Sequence, residues 1–259
     1  MSDPRILRDV VFHSPSGFRP ISLDLYLPAS DGAPVVLFVH GGGWRAGSRG
    51  VFVPHVSAAD SFDRIVAAGF AVVSVDYRLS GEAHFPAQLD DVREALAWVQ
   101  KSGETYGFDG SRVVLWGESA GATLAALIGL EPASGVLGVV DWYGPANLIS
   151  MAAGLAPAEA AETRETGWLG ETALDNPELA RSASPVFAVT TGAPPFHIEH
   201  GTDDDAVPFA QSQELADALA SHGARWELVS VAGAKHVWGG VADTSPIFDR
   251  AIDFANSLL

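Results

Sequence analysis

The chain has 259 residues, and 15 lysines and arginines against 32 aspartates and glutamates give it a formal net charge of −17. This charge argues against nucleic acid or an anionic membrane surface as a partner. The absence of cysteine excludes disulfides, thiolate metal sites and a cysteine nucleophile, while the 47% hydrophobic content predicts a folded protein rather than a disordered acidic chain.

We expect no targeting signal in the N-terminal sequence, because no basic stretch there is followed by a long apolar run. The longest apolar runs, near Val35–Val39 and Val136–Val140, are far shorter than the ~20 residues of a transmembrane helix. We therefore expect a cytoplasmic protein without a membrane partner.

The first strand patterns differ in kind. Residues Ile21–Leu27 alternate apolar and polar, which predicts a half-buried antiparallel strand near a sheet edge. The continuous apolar runs Val35–Val39, Ala71–Val75 and Val113–Trp116 are typical of parallel strands with helices on both faces. Further strand candidates follow at Val136–Tyr143, Phe196–His200 and Glu227–Val231.

Helical patterns lie between the strand patterns. They cover Asp60–Ala68, Pro86–Lys101, Ala120–Leu130, Gln211–Ser221 and Pro246–Leu258. Strands that alternate with helices predict an α/β fold with a mostly parallel central sheet, and the lack of a linker predicts one domain over residues 1–259.

Residues 145–194 interrupt this alternation, because they contain no strong strand pattern. The segment carries six acidic residues between Glu159 and Glu178, with Arg164 and Arg181 as its only bases. It predicts either a small lid or pocket wall inserted between two strands, or a solvated helical excursion.

The segment Gly117–Gly121 has the sequence Gly-Glu-Ser-Ala-Gly, a G-x-S-x-G motif between a predicted strand and a helix of small residues. That context is the one a nucleophile elbow needs, since a sharp strand-to-helix turn exposes the serine hydroxyl. We expect Ser119 to be the nucleophile.

Three glycines in His40–Trp44 follow another predicted strand. Acyl transfer needs unshielded N–H donors for the negative charge on the former carbonyl oxygen. We expect those donors to be Gly42, Gly43 and Ala120, and the alternative is an ordinary flexible loop.

A serine nucleophile needs a histidine base and an orienting carboxylate. In enzymes with a G-x-S-x-G nucleophile elbow, the acid and then the histidine follow the serine in the chain. His236 lies in a loop after the last predicted strand, whereas His222 suits a helix C-cap and His197 and His200 suit structural roles within a strand. Asp204 is the preferred acid among three consecutive aspartates, and no residue spacing indicates a metal site.

Together these residues resemble the α/β-hydrolase superfamily, in the esterase group with an HGGGW oxyanion loop. The matching segments are His40–Trp44, Asp76–Leu79, Phe85–Asp91, Gly117–Gly121, Trp142–Pro145, His200–Pro208 and Ala234–His236. The chain is most similar to compact bacterial carboxylesterases of the feruloyl- or acetyl-esterase type and to hormone-sensitive-lipase-like esterases. The family pattern His-Gly-Thr-x-Asp-x-x-Val-Pro also places its acid at Asp204.

The resemblance implies a serine carboxylic ester hydrolase that acts on small or short-chain esters through an acyl-enzyme, without a metal or cofactor. Trp44, Phe85, Tyr143 and Trp238 lie near the motifs, and we expect them to line the substrate pocket. The net charge predicts a preference for neutral esters over anionic ones. The alternatives are an arylformamidase-type amidase with the same triad and a non-catalytic binding protein on a hydrolase scaffold; the oligomeric state is left open.

Overall fold

The computed structural model describes residues 5–53, 56 and 58–259. The first four residues, on which the expected absence of a targeting signal partly depends, lie outside the described residues. The strands are β1 (Arg5–His13), β2 (Ile21–Leu27), β3 (Ala33–Val39), β4 (Ala71–Val75), β5 (Phe108–Glu118), β6 (Gly138–Trp142), β7 (Phe196–Gly201) and β8 (Trp226–Val231). The helices are α1 (Ala58–Ala67), α2 (Ala87–Tyr106), α3 (Ala120–Gly129), α4 (Leu148–Ala152), α5 (Pro157–Ala161), α6 (Arg164–Leu169), α7 (Pro177–Ser182), α8 (Ala210–Ser221) and α9 (Ser245–Asn256).

The eight strands form one sheet in the order β1-β2-β4-β3-β5-β6-β7-β8. The strand β2 pairs antiparallel with β1 and β4, and every pair from β4 to β8 is parallel. This arrangement confirms the predicted α/β-hydrolase fold. Because parallel strands end at the same edge, the loops after β3, β5, β7 and β8 converge there.

Two hydrophobic cores lie on opposite faces of the sheet. Leu37 of β3 packs in the core under α2, α3 and α8, while its neighbours Val36 and Phe38 pack in the core under α1 and α9. Successive side chains of a strand point to opposite faces, so a strand covered on both sides must be apolar throughout. All seven residues of β3 are accordingly buried.

The strand β2 is antiparallel and lies next to the edge of the sheet, as predicted, but the prediction that it is half-buried is wrong. The mostly exposed strand β1 forms the edge itself, and β2 is almost completely buried. The polar residue that suggested an exposed face, Asp24, is 2% exposed and forms ion pairs with Arg8 and Arg49 at 2.7 and 2.8 Å. A buried carboxylate needs such partners.

The segment 145–194 folds into four short helices, α4 to α7, and a 3-10 turn at Pro185–Phe187. Each helix has five or six residues, and such lengths are unstable without tertiary packing. Trp168 and Leu169 of α6 are buried in the same core as α2 and α3. The assignment of this segment as a lid or pocket wall stays a prediction, as does the single domain.

Across the described chain, no helix combines the length and the apolar character that a bilayer crossing demands.

Candidate functional site

The turn between β5 and α3 holds Ser119 in a strained conformation, with φ 52° and ψ −122°. Its two flanking glycines are required by close backbone approach. A Cβ on Gly121 would lie 2.1 Å from the carbonyl oxygen of Val39, and a Cβ on Gly117 would lie 2.3 Å from that of Gly121. The motif therefore reflects steric necessity at a sharp strand-to-helix turn.

Ser119 begins a chain of side-chain hydrogen bonds. Its Oγ lies 3.0 Å from Nε2 of His236, and Nδ1 of His236 lies 2.7 Å from Oδ2 of Asp204. The structure thus brings together the three residues that the sequence assigned to a triad. The carboxylate of Asp204 is fully buried, whereas the His236 side chain is 15% exposed.

Additional donors surround Asp204. Its Oδ1 accepts the N–H groups of Ala206 and Val207 at 2.9 and 2.8 Å, and Nε2 of His200 lies 3.2 Å from Oδ2. Burial raises the pKa of Asp204, but the hydrogen bonds from His200, His236 and Val207 outweigh it and hold that pKa well below its usual range. Asp204 is therefore an anion at neutral pH.

The competing aspartates and histidines lie elsewhere. Asp205 is exposed and faces Lys235 at 3.7 Å, His222 caps the C-terminus of α8, and His197 lies between the carboxylates of Glu199 and Glu227. Within the described ranges, no group of three or more histidines and carboxylates could hold a metal ion.

The loop after β3 turns through three consecutive residues with positive φ: Gly42 at 108°, Gly43 at 60° and Trp44 at 56°. The N–H groups of Gly42, Gly43 and Ala120 donate to no acceptor among residues 5–53, 56 and 58–259. Unpaired N–H groups next to a serine hydroxyl are suited to receive an anionic oxygen.

Buried contacts fix this loop from below. The N–H of Gly41 donates to Oε1 of Glu118 at 2.6 Å, and the Tyr77 hydroxyl donates to the carbonyl of His40 at 3.0 Å. Burial raises the pKa of Glu118 to about 7. Burial also lowers the pKa of His40, whose ring stacks on Tyr77 at 4.3 Å, so His40 shapes the loop as a neutral ring.

The predicted pocket aromatics form two groups. Trp44 stacks on Trp168 of α6, with ring centres 4.1 Å apart and planes inclined by 6°, and Phe85 meets the edge of Trp168 at 5.2 Å. Trp168 also donates to Gln88 at 3.0 Å. The segment 145–194 is therefore attached to the oxyanion loop through a buried tryptophan that the sequence analysis did not single out.

The second group lies beside the histidine. The Tyr143 ring is 4.9 Å from that of His236 and 4.7 Å from that of Trp238. Tyr143 and Trp238 are almost fully buried, as is Trp44, whereas Phe85 is half-buried. Their assignment to the substrate pocket stays a prediction.

A cavity of about 410 Å³ lies beside residues that follow the oxyanion loop and Asp204, while Ser119, His236 and the expected oxyanion donors are not among its lining residues. Arg45 lines one side, Asp205 and Ala206 line another, and residues of α4 to α6 complete the wall. A larger cavity of about 820 Å³ lies at the start of β5, around Phe108, and so at the opposite edge of the sheet from Ser119. No sequence pattern predicts either cavity.

Comparison with known proteins agrees with this architecture. The BD-FAE family model matches residues 23–219. The esterase LipQ of Mycobacterium tuberculosis is 34% identical over 210 residues, which are 74% of this chain and 47% of that protein. The chain thus spans about half the length of the curated relatives it matches.

Two solved structures are similar over nearly the whole chain. A truncated carbohydrate esterase from gut microbiota has a TM-score of 0.87 at 27% identity, covering 98% of this chain and 96% of that one. The propionate-bound esterase Est2 of Thermogutta terrifontis has a TM-score of 0.74 at 25% identity, covering 99% and 93%. The family match extends over most of the chain, and the sheet order agrees with it: the chain belongs to the BD-FAE family, within the α/β-hydrolase serine esterases.

Proposed function

We propose that this protein is a carboxylic ester hydrolase in which Ser119, His236 and Asp204 are the catalytic triad. The hydrogen-bonded chain from Oγ of Ser119 to Oδ2 of Asp204 carries this proposal. It lies at the carboxyl edge of a parallel sheet, where such folds bind their ligands. The esterase names of the relatives agree with it.

The reaction runs in two stages. Oγ of Ser119 attacks the ester carbonyl carbon while Nε2 of His236 takes the serine proton, and that proton then passes to the departing alkoxide, which leaves as the alcohol. Water repeats the sequence on the acyl-serine: His236 takes the water proton and returns it to Ser119 as the carboxylic acid departs. Asp204 is ionised and buried. It accepts a hydrogen bond from Nδ1–H of His236, which fixes the imidazole tautomer, and it stabilises the imidazolium.

The unpaired N–H groups of Gly42, Gly43 and Ala120 bind the oxyanion of both tetrahedral intermediates. They are held in place before the reaction by the positive φ values of the loop and by the Gly41–Glu118 hydrogen bond. Donors that need no reorganisation stabilise the transition state selectively, and the loss of one donor typically costs ~3–4 kcal/mol.

A cavity of about 410 Å³ is lined by residues that follow Asp204 and the oxyanion loop, and not by the triad itself. Its volume supports a small substrate, since it falls in the lower part of the range for small-molecule sites. A short acyl chain agrees with the propionate bound to the related Est2. The substrate class we propose is therefore small or short-chain esters.

The test measures hydrolysis of p-nitrophenyl esters from C2 to C12 by the wild type, by Ser119→Ala and by Ser16→Ala, whose serine lies in an exposed turn. We expect Ser119→Ala to lose activity by ~10⁵-fold or more, Ser16→Ala to match the wild type, and the short esters to react fastest. Only the wild type and Ser16→Ala should react with a fluorophosphonate.

Two results would overturn the proposal. Ester hydrolysis that survives Ser119→Ala would remove the assigned nucleophile, and a folded wild type that neither hydrolyses esters nor reacts with the fluorophosphonate would indicate a binding protein. Faster turnover of N-formylkynurenine than of any ester would indicate the amidase alternative.

A further inference from the structure

Most of the arginines of this acidic chain contact acceptors of the protein itself, and nine of them pair with carboxylates. Eleven of them form a side-chain hydrogen bond or an ion pair within the described chain: Arg5, Arg8, Arg19, Arg49, Arg64, Arg78, Arg93, Arg112, Arg181, Arg225 and Arg250. Among the residues whose contacts the structure describes, Arg45 and Arg164 have no such partner. With 32 carboxylates available in the sequence, two unpaired guanidinium groups are an exception.

Both exceptions line the same cavity of about 410 Å³. Arg45 approaches it from the oxyanion loop, directly after Trp44. Arg164 approaches it from α6, and its aliphatic stem covers the oxyanion loop so closely that a Cβ on Gly43 would lie 2.5 Å from its Cδ. Both arginines therefore lie close to the proposed donor Gly43, Arg164 through the contact of its stem and Arg45 as the second residue after it in the chain.

Acidic groups also line this cavity, namely Glu162, Glu165 and Asp205. Asp205 faces Lys235, and no carboxylate oxygen of the three residues lies within 4.0 Å of a guanidinium nitrogen of Arg45 or Arg164. Arg45, which is exposed, and Arg164, which is half-buried, thus line this cavity without pairing with any of its carboxylates. The guanidinium fork matches a carboxylate in a bidentate geometry, and such charge-assisted bonds are among the strongest in proteins.

We propose that Arg45 and Arg164 form a carboxylate-binding subsite, so that the enzyme prefers esters that carry a free carboxylate. The proposal rests on the proposed ester hydrolysis at Ser119 and names its substrate class. It reverses the preference for neutral esters expected from the net charge of −17. Distant surface charges are screened within ~8–10 Å at physiological salt, whereas two guanidinium groups in contact with the substrate are not.

Two matched substrate pairs test the proposal and locate the carboxylate. On the acyl side, p-nitrophenyl hemisuccinate is compared with p-nitrophenyl methyl succinate; on the alcohol side, 4-acetoxybenzoate is compared with its methyl ester. In at least one of the two pairs, we expect the kcat/KM of the wild type to be ~10-fold or more higher for the ester with the free carboxylate than for its neutral partner.

The variants Arg45→Gln, Arg164→Gln and their double substitution keep polar side chains but remove the charges. We expect each single variant to reduce the carboxylate-to-neutral ratio several-fold and the double variant to abolish the preference. Arg181→Gln is the matched control, because Arg181 belongs to the same segment 145–194 but does not line the cavity. It should retain the wild-type ratio.

Three outcomes would overturn the subsite: no carboxylate preference in either pair, a preference that survives the double variant, or an equal loss in Arg181→Gln, which would indicate long-range attraction only. Each uses the ratio of two esters, so a variant that folds poorly loses both rates without mimicking the effect. If Ser119→Ala instead still hydrolysed both esters of each pair, the reaction would not take place at Ser119. That result would contradict the proposed function itself and not only the subsite.

Discussion

The elbow around Ser119 and the segment 145–194, which we propose as a wall of the substrate site, are stabilised in different ways. Backbone sterics determine the elbow, because Gly117 and Gly121 lie where any Cβ would collide with a neighbouring main chain. Side chains distant in sequence determine the wall, since Trp168 packs between Trp44 and Phe85. The elbow therefore tolerates almost no change, whereas the wall can be altered in steps.

The largest effect is expected from Gly121→Ala. The new Cβ would lie 2.1 Å from the carbonyl oxygen of Val39, so the elbow must shift and displace Oγ of Ser119. A displacement of about 1 Å costs ~100-fold in rate, and we expect kcat/KM for p-nitrophenyl acetate to fall by at least that factor. Gly81→Ala is the control, because Gly81 has an ordinary φ and open space around it. Equal activity of the two variants would contradict the steric account of the elbow.

A smaller effect is expected at the wall. Trp168→Ala removes a fully buried ring that stacks on Trp44, and we expect a loss of ~3–5 kcal/mol in the free energy of unfolding. Ester hydrolysis should fall ~10-fold through a higher KM, because the elbow remains intact. Trp168→Phe keeps an aromatic ring and loses the hydrogen bond to Gln88, so it should cost ~1–2 kcal/mol. Urea unfolding and steady-state kinetics measure both quantities. If Trp168→Ala lowered kcat as strongly as Gly121→Ala, the distinction between elbow and wall would be lost.

A third effect is expected at Glu118, which follows the elbow glycine Gly117 and supports the oxyanion loop through the N–H of Gly41. Its pKa is about 7 in the folded protein, against 4.5 for an ordinary glutamate. The folded state thus holds the proton of Glu118 more tightly, so the contribution of Glu118 to stability is fully present below pH 4.5 and is lost as the pH rises through 7. That loss amounts to at most ~3 kcal/mol.

Glu118→Gln removes this titration while it keeps an oxygen for the N–H of Gly41. Urea unfolding of the wild type and the variant at pH 5 and pH 8 should show the variant gaining up to ~3 kcal/mol relative to the wild type at the higher pH. The buried Asp141, whose pKa burial raises to about 6, titrates in both proteins and cancels in the difference. A stability difference that does not change with pH would contradict the assignment.

The same contrast explains what the sequence could predict. The triad residues could be predicted from the sequence because each follows an apolar strand, and parallel strands bring their carboxyl ends to one edge of the sheet. The strand at the sheet edge could not be predicted, because β1 is mostly exposed, has a positive φ at Asp9 and lacks a clear alternation of apolar and polar residues. Its partner β2 carries a buried Asp24 whose polarity is compensated only by arginines from other segments.

The wall could not be predicted for a related reason. Trp168 and Arg164 gain their roles from contacts with Trp44 and Gly43, more than a hundred residues earlier in the chain. No periodic pattern in residues 145–194 indicates these contacts with distant residues. The polar composition of the segment described its exposed surface correctly but gave no indication of the side chains that attach it.

The stacked pair of Trp44 and Trp168 has a spectroscopic consequence. Two indoles with centres 4.1 Å apart and planes inclined by only 6° couple their electronic transitions, so their circular dichroism in the ultraviolet differs from that of two isolated rings. One ring belongs to the oxyanion loop and the other to α6. The pair is therefore a built-in optical reporter, without any added label, of whether the segment 145–194 stays attached while an ester enters and a product leaves.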